Sequence, residues 1–143
     1  MKKFFYLLLL ALPLAFVSCS DDDDLPNVTF NLVVGDGNEM VDNTIYVPVG
    51  TDLTISQLSC TNVDEKKAAT ITNATYFIDG YRLGTSLVAP YSISIPTTEM
   101  SVGKHTLSIE TTVLAVDKTP AFAIVSYPVE VVASASDMPG AAK

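Results

Sequence analysis

Tryptophan is absent from this 143-residue sequence, histidine occurs once, at His105, and cysteine twice, at Cys19 and Cys60. One imidazole and two thiols are too few for a His/Cys metal cluster, so no metal or other cofactor is expected. Basic residues are scarce as well: 8 against 16 acidic ones, a formal charge of −8. Phosphate contacts in nucleic-acid binding come from clustered Lys and Arg, and no such cluster exists, which excludes a nucleic-acid partner. Sustained helical periodicity is missing too. What is abundant is β-branched: residues 19–143 carry 15 Val, 15 Thr and 8 Ile, roughly 30% of that segment. Such side chains are stiff at χ1 and suit pleated, half-buried surfaces. The length fits one domain with a single core.

The start of the chain has a different composition. Lys2 and Lys3 precede an apolar run from Phe4 to Val17, broken only by Pro13, and small Ser18 comes just before Cys19. A charged region, an apolar stretch and a small residue at a cleavage position make a secretory signal over residues 1–18. The run is shorter than the roughly 20 residues a membrane-spanning helix needs. Phe16-Val17-Ser18-Cys19 resembles the lipobox of bacterial lipoproteins, with Phe16 where an aliphatic residue is usual. The resemblance implies cleavage before Cys19 and acylation of that residue. Each buried CH₂ contributes about 0.8 kcal/mol, and two or more chains give stable anchoring. Next comes Ser20-Asp21-Asp22-Asp23-Asp24. Four like charges repel and stay solvated, which alone makes a tether over 19–26. Directly after a lipobox cysteine, the run also resembles the export signal of Bacteroidota surface lipoproteins. That resemblance implies an outer-membrane protein facing the cell exterior, the alternative being one that faces the periplasm.

From residue 27 to 133 strand-like runs alternate with turns. Val28, Phe30, Leu32 and Val34 fall at period two before Gly35-Asp36-Gly37-Asn38. Ile45, Val47 and Val49 follow, with Pro48 pointing to an edge strand. Leu53 and Ile55 begin a run towards Cys60, and Thr61 to Lys67 forms a loop. Asp79-Gly80 between Thr75–Ile78 and Tyr81–Leu83 is a hairpin cue, because both central residues of a type I′ turn need positive φ. Tyr91, Ile93 and Ile95 alternate, and His105 to Val116 forms a long strand. In the last strand, 121–132, Phe122 and Ile124 share one face while Val125, Tyr127, Val129 and Val131 share the other, so a bulge or a change of sheet is expected near Pro128. Residues 134–143 form a flexible tail. Seven or eight short strands predict an all-β sandwich.

Tyr76-Phe77-Ile78-Asp79-Gly80-Tyr81-Arg82-Leu83-Gly84-Thr85 is similar to a stretch of bacterial immunoglobulin-like domains. Ala89-Pro90-Tyr91-Ser92-Ile93 and Gly103-Lys104-His105-Thr106-Leu107 match later parts of the same pattern. The resemblance covers roughly residues 70–116 and implies an immunoglobulin-like β-sandwich without shared catalytic residues. Fold alone does not give function.

Chemistry has few footholds. Any His-based site must be built on His105, which falls at a strand start. Cys60 has no obvious cationic neighbour to activate it and fits a small buried hydrophobe. Asp64, Glu65, Asp79, Glu99, Glu110, Asp117 and Glu130 show no motif that pairs two acids for glycoside hydrolysis. Asp36, Asn38 and Asp42 offer oxygen ligands, and a solvated loop explains them equally well. Tyr46, Tyr81, Tyr91 and Tyr127 are candidate ligand contacts, as sugar platforms or as caps on the core. The expected protein is therefore not an enzyme. It is a lipoprotein held in the membrane through Cys19, acting as a binding or scaffold module on a protein or glycan partner. Its alternatives are a glycan-binding accessory of a polysaccharide uptake system and a subunit of a surface adhesive assembly.

Overall fold

The computed structural model describes residues 25–64 and 66–141; Cys19 and the run Ser20–Asp24 lie outside the described residues. The period-two pattern of Val28, Phe30, Leu32 and Val34 turns their side chains inward along β1 (Val28–Val34), which pairs antiparallel with β4 (Leu53–Asn62). Leu32 meets Leu58 and Phe30 meets Cys60 across this pair. A short β8 (Ile93–Ile95) closes the other side of β4, making a three-stranded sheet β1-β4-β8.

The second layer runs β2 (Glu39–Val41), β3 (Thr44–Pro48), β10 (Ala121–Val132), β9 (Gly103–Ala115), β6 (Ala74–Ile78) and β7 (Tyr81–Ser86). A three-residue β5 (Ala69–Ile71) also pairs with β9. Strand β3 lies parallel to β10, with Ile45 opposite Val129, and the other pairings are antiparallel. The inner faces meet in one core built on Ile45, Val47, Leu53, Ile55, Leu58, Tyr76, Leu107, Ile109, Val113, Val129 and Val131. Two layers sharing their apolar faces are what alternating strands demand. The protein is an all-β sandwich of two sheets around one core.

Polar groups inside it are satisfied. Thr111 stands in the inward row of β9, and its hydroxyl donates to the carbonyl of Asn73. The Asn73 side chain in turn accepts from the N–H of Thr112 at 3.0 Å. Tyr76 is fully buried, and its hydroxyl donates to the carbonyl of Tyr91. Leaving such a hydroxyl unpaired would cost about 1–3 kcal/mol.

Several sequence expectations need correction. The described residues form ten strands rather than seven or eight, because β2 and β5, three residues each, carry no periodicity of their own. No bulge interrupts β10 near Pro128: its register with β9 is continuous from Ala121↔Val113 to Val131↔Gly103. Ala121 and Ala123 face inward, and Phe122 and Ile124 are exposed on the outer face. Pairing with β9 decided that phase, not the size of the side chains. Pro128 sits one residue before pairing with β3 begins, where a missing N–H costs no ladder bond on that side. Strand β3 is second from the edge, but β2 pairs only with Thr44 to Tyr46, so among the described residues no strand lies outside Pro48. The tail is not loose over residues 134–141. Ala135–Asp137 form a 3₁₀ turn, Met138 is buried, and the N–H of Gly140 donates to Glu39 at 2.7 Å.

Candidate functional site

Strands β6 and β7 are joined by Asp79 and Gly80, with φ of 50° and 88°. This is the type I′ geometry whose twist matches that of the flanking strands. A Cβ built on Gly80 would meet nothing within 4 Å, so its requirement is conformational, not steric. The turn holds the Asp79 carboxylate over the start of β9. One carboxylate oxygen accepts from the N–H of Thr106 at 2.8 Å, and the Asp79 N–H donates to the Thr106 carbonyl at 2.9 Å. The other oxygen lies 2.6 Å from Nδ1 of His105.

Nε2 of His105 lies 2.7 Å from the carbonyl oxygen of Ser101. Both ring nitrogens thus face acceptors, and only the imidazolium can donate to both. The Asp79 carboxylate, then the Ser101 carbonyl, hold His105 above its ordinary value. The His105 hydrogen bond, then the Thr106 N–H, hold the Asp79 carboxyl below the usual carboxylate range. The imidazole side chain is 9% exposed and the carboxylate 43%, so this is a half-solvated ion pair with its cation tucked inside.

The pair ties the β6–β7 turn to the β8–β9 loop. A second tie holds that loop from below: the buried Thr97 hydroxyl donates to the Thr51 carbonyl and accepts from the N–H of Gly50, both at 2.9 Å. Val49 donates to Val132 at 2.8 Å, which joins the end of β10 to the same group. The hairpin, the β3–β4 loop, the β8–β9 loop and the end of β10 therefore form one laced pole. Tyr81, 77% exposed, and Val102, 56% exposed, stand on it beside the ion pair.

An Asp–His pair is also the orienting half of a catalytic triad, but here the far nitrogen is spent on a backbone carbonyl instead of a nucleophile's hydroxyl. The arrangement ties loops together, with both ring nitrogens engaged inside the fold. What it leaves exposed are an aromatic ring and a valine on a base laced by hydrogen bonds.

The four candidate tyrosines are not brought together. Tyr127 is buried on β10, its hydroxyl pushed up to about 12 by burial. Tyr91 is half-buried, with φ of 65° and a hydroxyl donating to Ile71 at 2.9 Å. Tyr46 is half-buried beside Glu130, and Tyr81 alone is freely exposed. Of the two readings, Tyr91 and Tyr127 fit caps on the core, and Tyr81 is the ring left open to a contact. The oxygen ligands at 36, 38 and 42 do not form a set either. The Asn38 amide donates to the Asp52 carbonyl and accepts from the N–H of Thr54, while Asp42 sits in a separate turn with Asn43. Cys60 is half-buried against the core, and burial pushes its thiol up. Among the described residues no three His, Cys, Asp or Glu side chains gather as a metal site.

Sequence reasoning had Asp79 as a turn residue and His105 as a strand start. It missed that they bond, although both lie in the two best-marked segments of the chain. It also missed Asp42-Asn43, with φ of 52° and 67°, as the turn between β2 and β3; two adjacent Asx residues were the available signal.

No protein-family model matches the chain, and no curated protein matches it. Among solved structures, it is similar to the fibronectin(III)-like modules of Clostridium thermocellum CbhA, at 15% identity and a TM-score of 0.45. The match covers 83% of this chain and 54% of that one, so this chain spans about half of its neighbour's length.

Proposed function

We propose that this protein is a non-enzymatic binding or scaffold module, acylated at Cys19 and held at the outer membrane with its sandwich facing the cell exterior. One observation carries the reading: the chain enters the sandwich at one pole and exposes its aromatic corner at the other. Val28 pairs with Asn62 at the entering pole. Gly103 pairs with Val131 at the pole of Tyr81 and Val102. Strand β9, with 13 residues, runs between the two poles, about 40 Å at the usual rise per residue. A domain tethered at its start would therefore turn its most exposed aromatic side chain away from the membrane. The lipobox-like Phe16–Cys19 and the aspartate run support the anchor and the address. An exposed aromatic ring with an exposed valine on the same pole suits a protein partner, since aromatic side chains are enriched at protein interfaces.

The test is fractionation of cells expressing the full chain or its Cys19→Ala variant. The variant is expected to leave the detergent-extracted membrane fraction while keeping its folded, protease-resistant core. Retention of the variant in membranes would overturn the lipid anchor and leave residues 4–17 as the attachment.

A further inference from the structure

The pole where the chain enters has its own surface. The loops after β4 and β9 meet there: Val116 donates to the Ala68 carbonyl at 3.1 Å, and Lys67 pairs with Asp117 at 3.6 Å. Val63, 55% exposed, and Val116, 47% exposed, project from these loops. Between them lies an open concavity of about 320 Å³, lined in part by Asn27, Asn62, Lys67 and Lys118. Charge is distributed unevenly over the molecule. Lys66, Lys67 and Lys118 offset Asp64, Glu65 and Asp117, so these two loops are neutral. The rest of residues 25–141 carries Arg82 and Lys104 against nine acidic residues. The rest of the domain taken together is anionic and would be repelled by an anionic surface, whereas these two loops would not be.

Resting on the reading of Cys19 as the anchor, we propose that this pole is a membrane-resting face, with Val63 and Val116 seated among the lipid headgroups and the three lysines beside them. The occupant is the bilayer surface itself. Seven residues, Ser20 to Pro26, separate the acylated cysteine from Asn27 on the rim of the concavity, a reach of at most about 25 Å. The pole is thus held within a short distance of lipid whatever the tether's path. Exposed apolar tips flanked by lysine side chains, which keep their charged heads in the interface, are the chemistry that such a surface receives. Seating the pole would hold the sandwich upright and fix the direction in which the Tyr81 corner points.

The experiment uses the acylated full chain with Cys60→Ser, carrying an environment-sensitive fluorophore on Val63→Cys, Val116→Cys or Val102→Cys. Each form is floated with vesicles of phosphatidylethanolamine and phosphatidylglycerol containing a headgroup-linked quencher. Quenching at 63 and 116 is expected to exceed that at 102 several-fold, and to fall when Lys66, Lys67 and Lys118 are changed to Gln. Flotation with equal quenching at all three positions would overturn the seated pole and leave the anchor standing. Failure to float would overturn the anchor reading, and the inference with it. Label changes at 63 and 116 that persist in detergent and rise with protein concentration would identify a second copy as the occupant and overturn the lipid assignment. The two pole positions report independently, so one poorly folded variant does not remove the test.

Discussion

The Asp79–His105 pair makes stability depend on pH in a way that one imidazole can report. His105 is held above its ordinary value of 6.5, so its contribution is complete below that pH and is lost as pH rises through the folded value. Asp79 is held below its ordinary 3.8, so its contribution is present above that pH and is lost as pH falls through the folded value. Both contributions coexist between about pH 4 and 6.5. A hydrogen bond to a charged group is worth about 1.5–3 kcal/mol, and the 43% exposure of the carboxylate calls for a discount. Wild type is therefore expected to lose about 1–2 kcal/mol between pH 6 and pH 9. For a domain of this size that is a fall in Tm of about 3–8 °C. Asp79→Asn is the informative variant, because asparagine tolerates φ of 50° and can still accept from Thr106, removing the charge alone. It should lower stability by about 1 kcal/mol at pH 6 and flatten the dependence above it. His105→Gln should flatten it as well. The assays are urea denaturation of residues 20–143 at several pH values and NMR titration of the one imidazole. A His105 that titrates at or below 6.5, or a wild type and His105→Gln whose stabilities run parallel from pH 6 to 9, would refute the reasoning.

Two further outcomes follow from the turn and from the tether. Gly80→Val should cost about 1–3 kcal/mol from backbone strain alone, since its Cβ meets open space, and an unchanged denaturant midpoint would reject the type I′ hairpin. Replacing Asp21 to Asp24 with Asn should keep acylation at Cys19 but leave the protein protected when intact cells are shaved with protease. Equal shaving of both forms would remove the export role of the run.

Much of the fold lies in local pattern. Alternation along β1 and β9 names the inward residues, and β-branched composition favours strand over helix before any partner is known; along β4 the inward phase slips between Ile55 and Leu58, where its register with β1 shifts. Asp79-Gly80 specifies its own turn because positive φ is a property of the residues in it. The rest depends on neighbours far along the chain. Phe122 and Ile124 are as apolar as Val129 and Val131, yet they face outward because Thr112 and Glu110 lie opposite them on β9. The parallel β3–β10 pair joins residues more than eighty positions apart, and β2 and β5 are strands only because a longer strand lies beside them. The Asp79–His105 contact spans 26 residues and exists because the β6–β9 register sets the turn against the start of β9. Composition and spacing determined which segments would be strands. Which side chains meet across the sandwich, and so which corner is rigid and which loops share a pole, was decided by register, because a one-residue slip turns every side chain to the other face.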